Sequence, residues 1–229
     1  MSKILALDTS SEACSVALWK EGEILEDFRI LPRQHAQALL PQIKQLLAEA
    51  GVSLSQLDAL AFGRGPGSFT GLRIAASTAQ GLALAQDLPL LPISTLQALA
   101  WTAQKHYYAR KILTLLDARM DEVYWCAWQG QEETPQALMA EALNRPEEVE
   151  PPLTDDQDWL LIGSGAAFRD RLPPWVQGHI QQEIIDVHPR AGAMAALAHL
   201  AWEKGEAVDA AEAQPVYLRD QVTHQKKAN

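Results

Sequence analysis

Two apolar runs of this sequence end on an aspartate, in Leu7-Asp8-Thr9-Ser10 and Leu116-Asp117-Ala118-Arg119. Carboxylates at strand ends, beside hydroxyls or an arginine, are suited to hold water or a divalent cation against a phosphoryl group. Between them lies Gly63-Arg64-Gly65-Pro66-Gly67-Ser68-Phe69-Thr70-Gly71-Leu72-Arg73, and a second glycine turn, Gly163-Ser164-Gly165, follows later. Small residues ahead of a helix free backbone N–H groups to face an anion, helped by the helix dipole. Together these residues would compose a nucleotide-dependent phosphotransferase, with Asp8 and Asp117 across a cleft and the glycine turns on the phosphates.

Each part also has a plainer reading. No lysine follows a glycine in the P-loop arrangement, and Thr70 stands where the dinucleotide fingerprint needs glycine. On that reading the glycines permit close packing, Ser68 or Thr70 caps the helix, and Arg73 ties the loop down or reaches a partner. Asp8 and Asp117 then satisfy turn amides through Asx-type hydrogen bonds, and Arg119 pairs with an acid. Other chemistries have less support. The six histidines show no pair on one helical turn, the two cysteines form no metal pair, and no serine sits in a nucleophile elbow. No metal site and no hydrolase are expected. Trp125 and Trp128 alternate with Tyr124 and Cys126, as in a packed strand.

The elements that must position these groups follow from periodicity and punctuation. Ile4–Leu7 and Cys14–Trp19 flank a polar turn and predict a hairpin, with a third strand over Ile24–Ile30. Ala36, Leu39, Leu40, Ile43, Leu46, Leu47 and Ala50 fall at spacings of three and four, which predicts a helix from near Gln34, interrupted by Pro41 and closed at Gly51. Leu57–Phe62 predicts the strand that leads into the glycine turn. The helix after it runs from Ile74 to Gln86 without a charged residue, so it has no face suited to water and needs cover on more than one side. That reading makes the protein a docking subunit first. Pro89–Ile93 is a short strand too proline-rich for mid-sheet, and Ser94-Thr95 caps a helix over Leu96–Gln104. Sliding the first hairpin until Asp8 meets Asp117 also brings Trp19 onto Trp128, by coincidence or by internal duplication into two mixed-sheet lobes. Glu141–Asp158 reads as a solvated connection or an irregular edge, Trp159–Ile162 as a strand, Ala191–Trp202 as a helix closed by Gly205, and Pro215–Leu218 as a returning strand.

The 229 residues are 48% hydrophobic, enough for a sizeable core, and a net charge of −10 argues against this chain alone supplying a basic surface for nucleic acid. No apolar run reaches the roughly 20 residues of a membrane span. Two cysteines and no signal-like start favour a cytoplasmic setting without a disulfide.

The four segments Leu7–Ser10, Gly63–Arg73, Asp117–Arg119 with Glu122-Val123-Tyr124, and Pro215–Arg219 resemble the bacterial TsaB family, also called YeaZ, of the tRNA threonylcarbamoyladenosine (t6A) pathway. The resemblance implies an α/β, two-lobed actin/sugar-kinase/Hsp70-like (ASKHA) fold. Its lobes would be 1–106 and 107–220, the last helix able to cross back, with 221–229 a disordered tail. It further implies a role without catalysis, pairing with the transferase TsaD, with the ATPase TsaE joining and tRNA met only through the complex. The catalytic relative holds metal through a His-x-x-x-His helix, and Thr95 and Leu99 stand at those places here. No metal and no tightly bound cofactor are therefore expected of the isolated chain; nucleotide at the complex interface stays open. The resemblance assigns docking to Leu39, Ile43, Leu46 and Leu47 on one helix and Thr70, Arg73, Ser77, Gln80 and Leu84 on the next. The same face would close a homodimer when TsaD is missing. Asp8, Thr9, Ser10, Asp117, Arg119, Gly163 and Gly165 would line a vestigial cleft.

Overall fold

The computed structural model describes residues 2–152 and 158–219, so the expected tail lies outside the described residues. The first hairpin, β1 (Lys3–Asp8) and β2 (Ala13–Lys20), is extended by β3 (Glu23–Ile30) on one side. On the other side come β4 (Ala59–Gly65) and β5 (Leu90–Ser94), giving the order β3-β2-β1-β4-β5. The β1–β2 and β2–β3 pairs are antiparallel, and β1–β4 and β4–β5 are parallel. The second hairpin, β6 (Lys111–Arg119) and β7 (Glu122–Gln129), builds the same pattern. The short strands β8 (Gln136–Ala137) and β9 (Ala142–Asn144) pair antiparallel with β7, while β10 (Trp159–Ile162) and β11 (Ile180–Ile184) continue in parallel from β6. The order β11-β10-β6-β7-β8 is thus the first sheet again, read from the other edge. This repetition favours duplication over coincidence.

Residues on β1 are buried on both faces, which is why Ile4-Leu5-Ala6-Leu7 is apolar without alternation. Leu5 and Leu7 face α1 (His35–Glu49) and α2 (Phe69–Gln86), in a core with Leu39, Ile43, Leu46, Leu47 and the alanines Ala75, Ala76, Ala79 and Ala83. Ile4 and Ala6 face α5 (Ala191–Glu203), whose alanines let it lie close on the sheet. Glu26 on β3 fixes the start of α5. Its Oε1 accepts from the Gly192 N–H at 2.9 Å and its Oε2 from Arg190 at 2.7 Å, an acid placed where the helix dipole favours one. The helix α3 (Thr95–His106) presents Leu96, Leu99, Ala100 and Ala103 to the second sheet and Ala98 to the α5 cluster, joining the two halves. The opposite face of the second sheet is closed by Val149, Ala166, Leu172 and Val176, the last on the short α4 (Pro174–His179). Among the described residues no helix is long and apolar enough to cross a membrane.

Several boundaries differ from expectation for identifiable reasons. β4 runs on through Gly65, because β5 continues to pair with it beyond a bulge between Gly63 and Gly65. β5 holds Pro92 and is the sheet's edge, where a missing N–H costs little. Ser94 accepts from the Gln97 N–H at 3.0 Å and caps α3 as its type and place predict. Residues 215–219 form no strand; a single backbone bond, Val216 N–H to the Arg64 carbonyl at 2.7 Å, ties them to the glycine motif.

Candidate functional site

The glycine motif is closed by the chain itself. The Ser68 N–H donates to the Ser10 carbonyl at 2.7 Å, Thr9 Oγ1 donates to the Gly71 carbonyl at 2.7 Å, and Thr95 Oγ1 donates to the Pro66 carbonyl. A side chain on Gly71 would overlap the Thr9 carbonyl, and one on Gly67 would lie 2.6 Å from the Ser10 carbonyl. The loop is therefore glycine-rich because it packs on the turn after β1. Ser68 Oγ accepts from the Gly71 N–H at 3.3 Å, so the first turn of α2 is capped from within. Arg64 pairs with Glu141 at 3.2 Å, tying the loop to the second half of the chain.

The two aspartates occupy unlike surroundings. Asp8 is fully buried, and its Oδ2 accepts from the Ser10 N–H at 3.1 Å and the Ser10 hydroxyl at 2.9 Å. Its Oδ1 has no hydrogen-bond partner and occupies the space that a side chain on Gly63 would fill, with Met194 of α5 on the far side. Burial pushes its pKa from the usual 3.8 up to about 7, against the lowering effect of the Ser10 hydrogen bonds. Asp117 is a quarter exposed and spent on its own turn, Oδ1 accepting from the Arg119 N–H at 2.7 Å and Oδ2 from the Arg119 guanidinium at 3.1 Å. Arg119 also reaches Glu12, 3.6 Å away on the tip of the first hairpin. Gly163 and Gly165 let the turn after β10 press on Leu115. No hydrogen bond or ion pair joins Asp8 to Asp117 among the described residues, and no cluster of metal-ligating side chains occurs there.

On α2 the residues away from the sheet are Phe69, Thr70, Arg73, Ser77, Gly81, Leu84 and Ala85, an exposed stripe at helical spacing. Leu84 is 71% exposed. Four residues assigned to the docking face, Leu39, Ile43, Leu46 and Leu47, lie instead in the core beneath α1, because an apolar stripe is drawn first to its own sheet. The outward side of α1 is Ala36, Gln37, Leu40, Pro41, Lys44, Gln45, Ala48 and Glu49. Gln80 is half-buried and donates to the Ala210 and Ala213 carbonyls at 3.2 and 2.9 Å, which spends its amide inside the chain. Sequence reasoning missed Phe69, Gly81 and Ala85; their signal was position on the same stripe as Arg73, Ser77 and Leu84. Thr95 and Leu99 are both fully buried, Thr95 against the glycine loop and Leu99 against Gly163.

Two mixed sheets in one strand order, each with an aspartate at or near the end of its first strand, define a duplicated α/β protein of the ASKHA class. The family model described as "TsaD: tRNA N6-adenosine threonylcarbamoyltransferase" matches residues 29–227. The "tRNA threonylcarbamoyladenosine biosynthesis protein TsaB" of Escherichia coli is 39% identical over 98% of this chain and 97% of its own length. Its Haemophilus influenzae namesake is 38% identical over 97% and 96%. The solved structure "YeaZ from Pseudomonas aeruginosa" superposes with a TM-score of 0.91 at 46% identity, covering 95% of this chain and all of its own. The chain belongs to this TsaB/YeaZ family, named for the biosynthesis of tRNA threonylcarbamoyladenosine.

Proposed function

We propose that this chain is a non-catalytic subunit of the t6A machinery, docking through the outward faces of α1 and α2 onto a TsaD-type transferase and helping to recruit a TsaE-type ATPase. The exposed stripe of α2 carries the reading: Thr70, Ser77, Gly81, Leu84 and Ala85 are uncharged and exposed, and Phe69 beside them is partly covered by Arg73 and Tyr217. Burying Leu84 alone against a partner is worth about 2 kcal/mol. Chemistry falls to the partner on this reading, since Thr95 gives its hydroxyl to a carbonyl and Leu99 fills the core, neither offering an imidazole. With no partner at hand, the same face closes on a second copy. Titration calorimetry of this chain with the TsaD subunit, beside a reconstituted tRNA modification assay, tests the proposal. Micromolar or tighter pairing is expected, with modification lost when this chain is omitted. Leu84→Glu should weaken pairing at least about tenfold without altering the monomer's melt. Separate elution of the two subunits and unchanged modification would sink it.

A phosphotransferase acting at Asp8 and Asp117 is the second reading, favoured by the unpartnered Oδ1 of Asp8. Against it, Asp8 is fully buried, Asp117 is spent on Arg119, and no cluster of metal-ligating side chains occurs among the described residues. Calorimetry with ATP and magnesium separates the readings: tight binding that Asp8→Asn abolishes supports the second, and absence of heat supports the first.

A further inference from the structure

Arg73 is the one charged side chain among the 18 residues of α2, and it is exposed. It is nevertheless held in place. Its guanidinium carbon lies 3.8 Å from the Phe69 ring centre and 6.0 Å from that of Tyr217, and its Nε donates to the Tyr217 hydroxyl at 3.3 Å. The two rings pack on each other with centres 5.3 Å apart. Tyr217 is in turn fixed by its neighbours: Val216 bonds the Arg64 carbonyl, and Arg219 pairs with Glu122 and donates to the Arg119 carbonyl. Nε is occupied, Arg73 is exposed, and among the described residues no carboxylate pairs with its two terminal nitrogens. In a protein of net charge −10, an arginine stacked, oriented and unpaired is an unused bidentate donor.

We propose that Arg73, Phe69 and Tyr217 form a preformed carboxylate clamp that receives an aspartate or glutamate of the docking partner. Residues 215–219 act as the strap that positions it. The occupant is a different protein rather than a second copy of this chain. α2 holds no acid before its C-cap Asp87 and α1 holds only Glu49, in its last turn, so self-pairing of these helices offers Arg73 a carboxylate only at their C-terminal ends. Preorganisation matters because an arginine that is already stacked loses less side-chain freedom when it binds. The inference rests on the docking reading given above and adds to it the chemistry of the contact.

The test is calorimetry of the full chain with the TsaD subunit at low and high salt, with melting curves to confirm that each variant is folded. Arg73→Ala is expected to weaken binding about 20-fold and to flatten its salt dependence. Arg73→Lys should restore the charge but leave most of the loss, because an ammonium lacks the fork. Tyr217→Ala should cost about fivefold alone and nothing further in the Arg73→Ala background, as expected of a residue acting through Arg73. Binding within twofold of wild type for Arg73→Ala, or additive effects of the two variants, would overturn the clamp. Equal weakening of homodimer and heterodimer by Arg73→Ala would overturn the choice of occupant. Failure of wild type to bind at all would overturn the docking reading itself, which the other outcomes leave intact.

Discussion

Asp8 and Asp117 stand at matching places in two copies of one sheet, yet only one of them is accessible to solvent. The difference comes from what covers each hairpin. Over the first, α5 crosses from the second half of the chain and brings Met194 beside Gly63, next to which the Asp8 carboxyl is fully buried. Over the second, the turn after β6 folds back on itself, with Arg119, Met120 and Asp121 all at positive φ, and Asp117 serves that turn. Equivalent sequence positions in a duplicated fold thus diverge through their covering, and a strand-end acid by itself does not mark an active centre.

The largest way to break this comparison is to vary pH with Asp8→Asn. In the unfolded chain Asp8 ionises near the ordinary 3.8, but in the folded protein it holds its proton until about 7. Its contribution to stability is therefore full below the lower value and falls as pH rises between the two, by up to about 4 kcal/mol. Urea denaturation from pH 4 to pH 8 should show the Asp8→Asn variant gaining on wild type across that window and surpassing it at pH 8. Parallel profiles would mean that Asp8 is not sealed. Next in size is Gly63→Ala, whose methyl would displace Asp8 Oδ1; we expect a loss of about 3 kcal/mol. Combining it with Asp8→Ala should recover more than about 1 kcal/mol relative to the sum of the single changes, measurable as a double-mutant cycle. Asp117→Ala should cost about 1 kcal/mol, through the lost turn bonds to Arg119. Smallest is Arg119→Ala, whose exposed contact with Glu12 should shift the melting midpoint by less than about 2 °C. A large effect there would show that the hairpin tips hold the two halves together.

Much of this was legible in the sequence. Both hairpins, the capped start of α3 and the uncharged run of α2 after Arg73 follow from local rules of alternation, capping and charge. The outward face of α1 was not legible, because Leu39, Ile43, Leu46 and Leu47 give the same periodicity whether they meet a partner or their own sheet. Charge depletion on α2 was the better signal of an exposed uncharged stripe, since a core needs only one apolar stripe and this helix has no ionic residue on the other side except Arg73. The packing of 215–219 on the glycine motif joins residues distant in sequence through one backbone bond and two rings, and no local pattern encodes it. The burial of Asp8 was hidden for the same reason. The sheet around it is roofed by α5, whose Met194 lies beside Gly63 and which is made much later in the chain.

That order of manufacture has a consequence for synthesis. A nascent chain that has released β1 to β5 from the ribosome still lacks the helix that roofs Ile4, Ala6, Ala17, Ala59 and Ala61, so the earliest sheet waits with one bare side. A fragment ending before residue 190 should accordingly exchange its β1 amides with deuterium rapidly, and adding the missing helix in trans should slow that exchange.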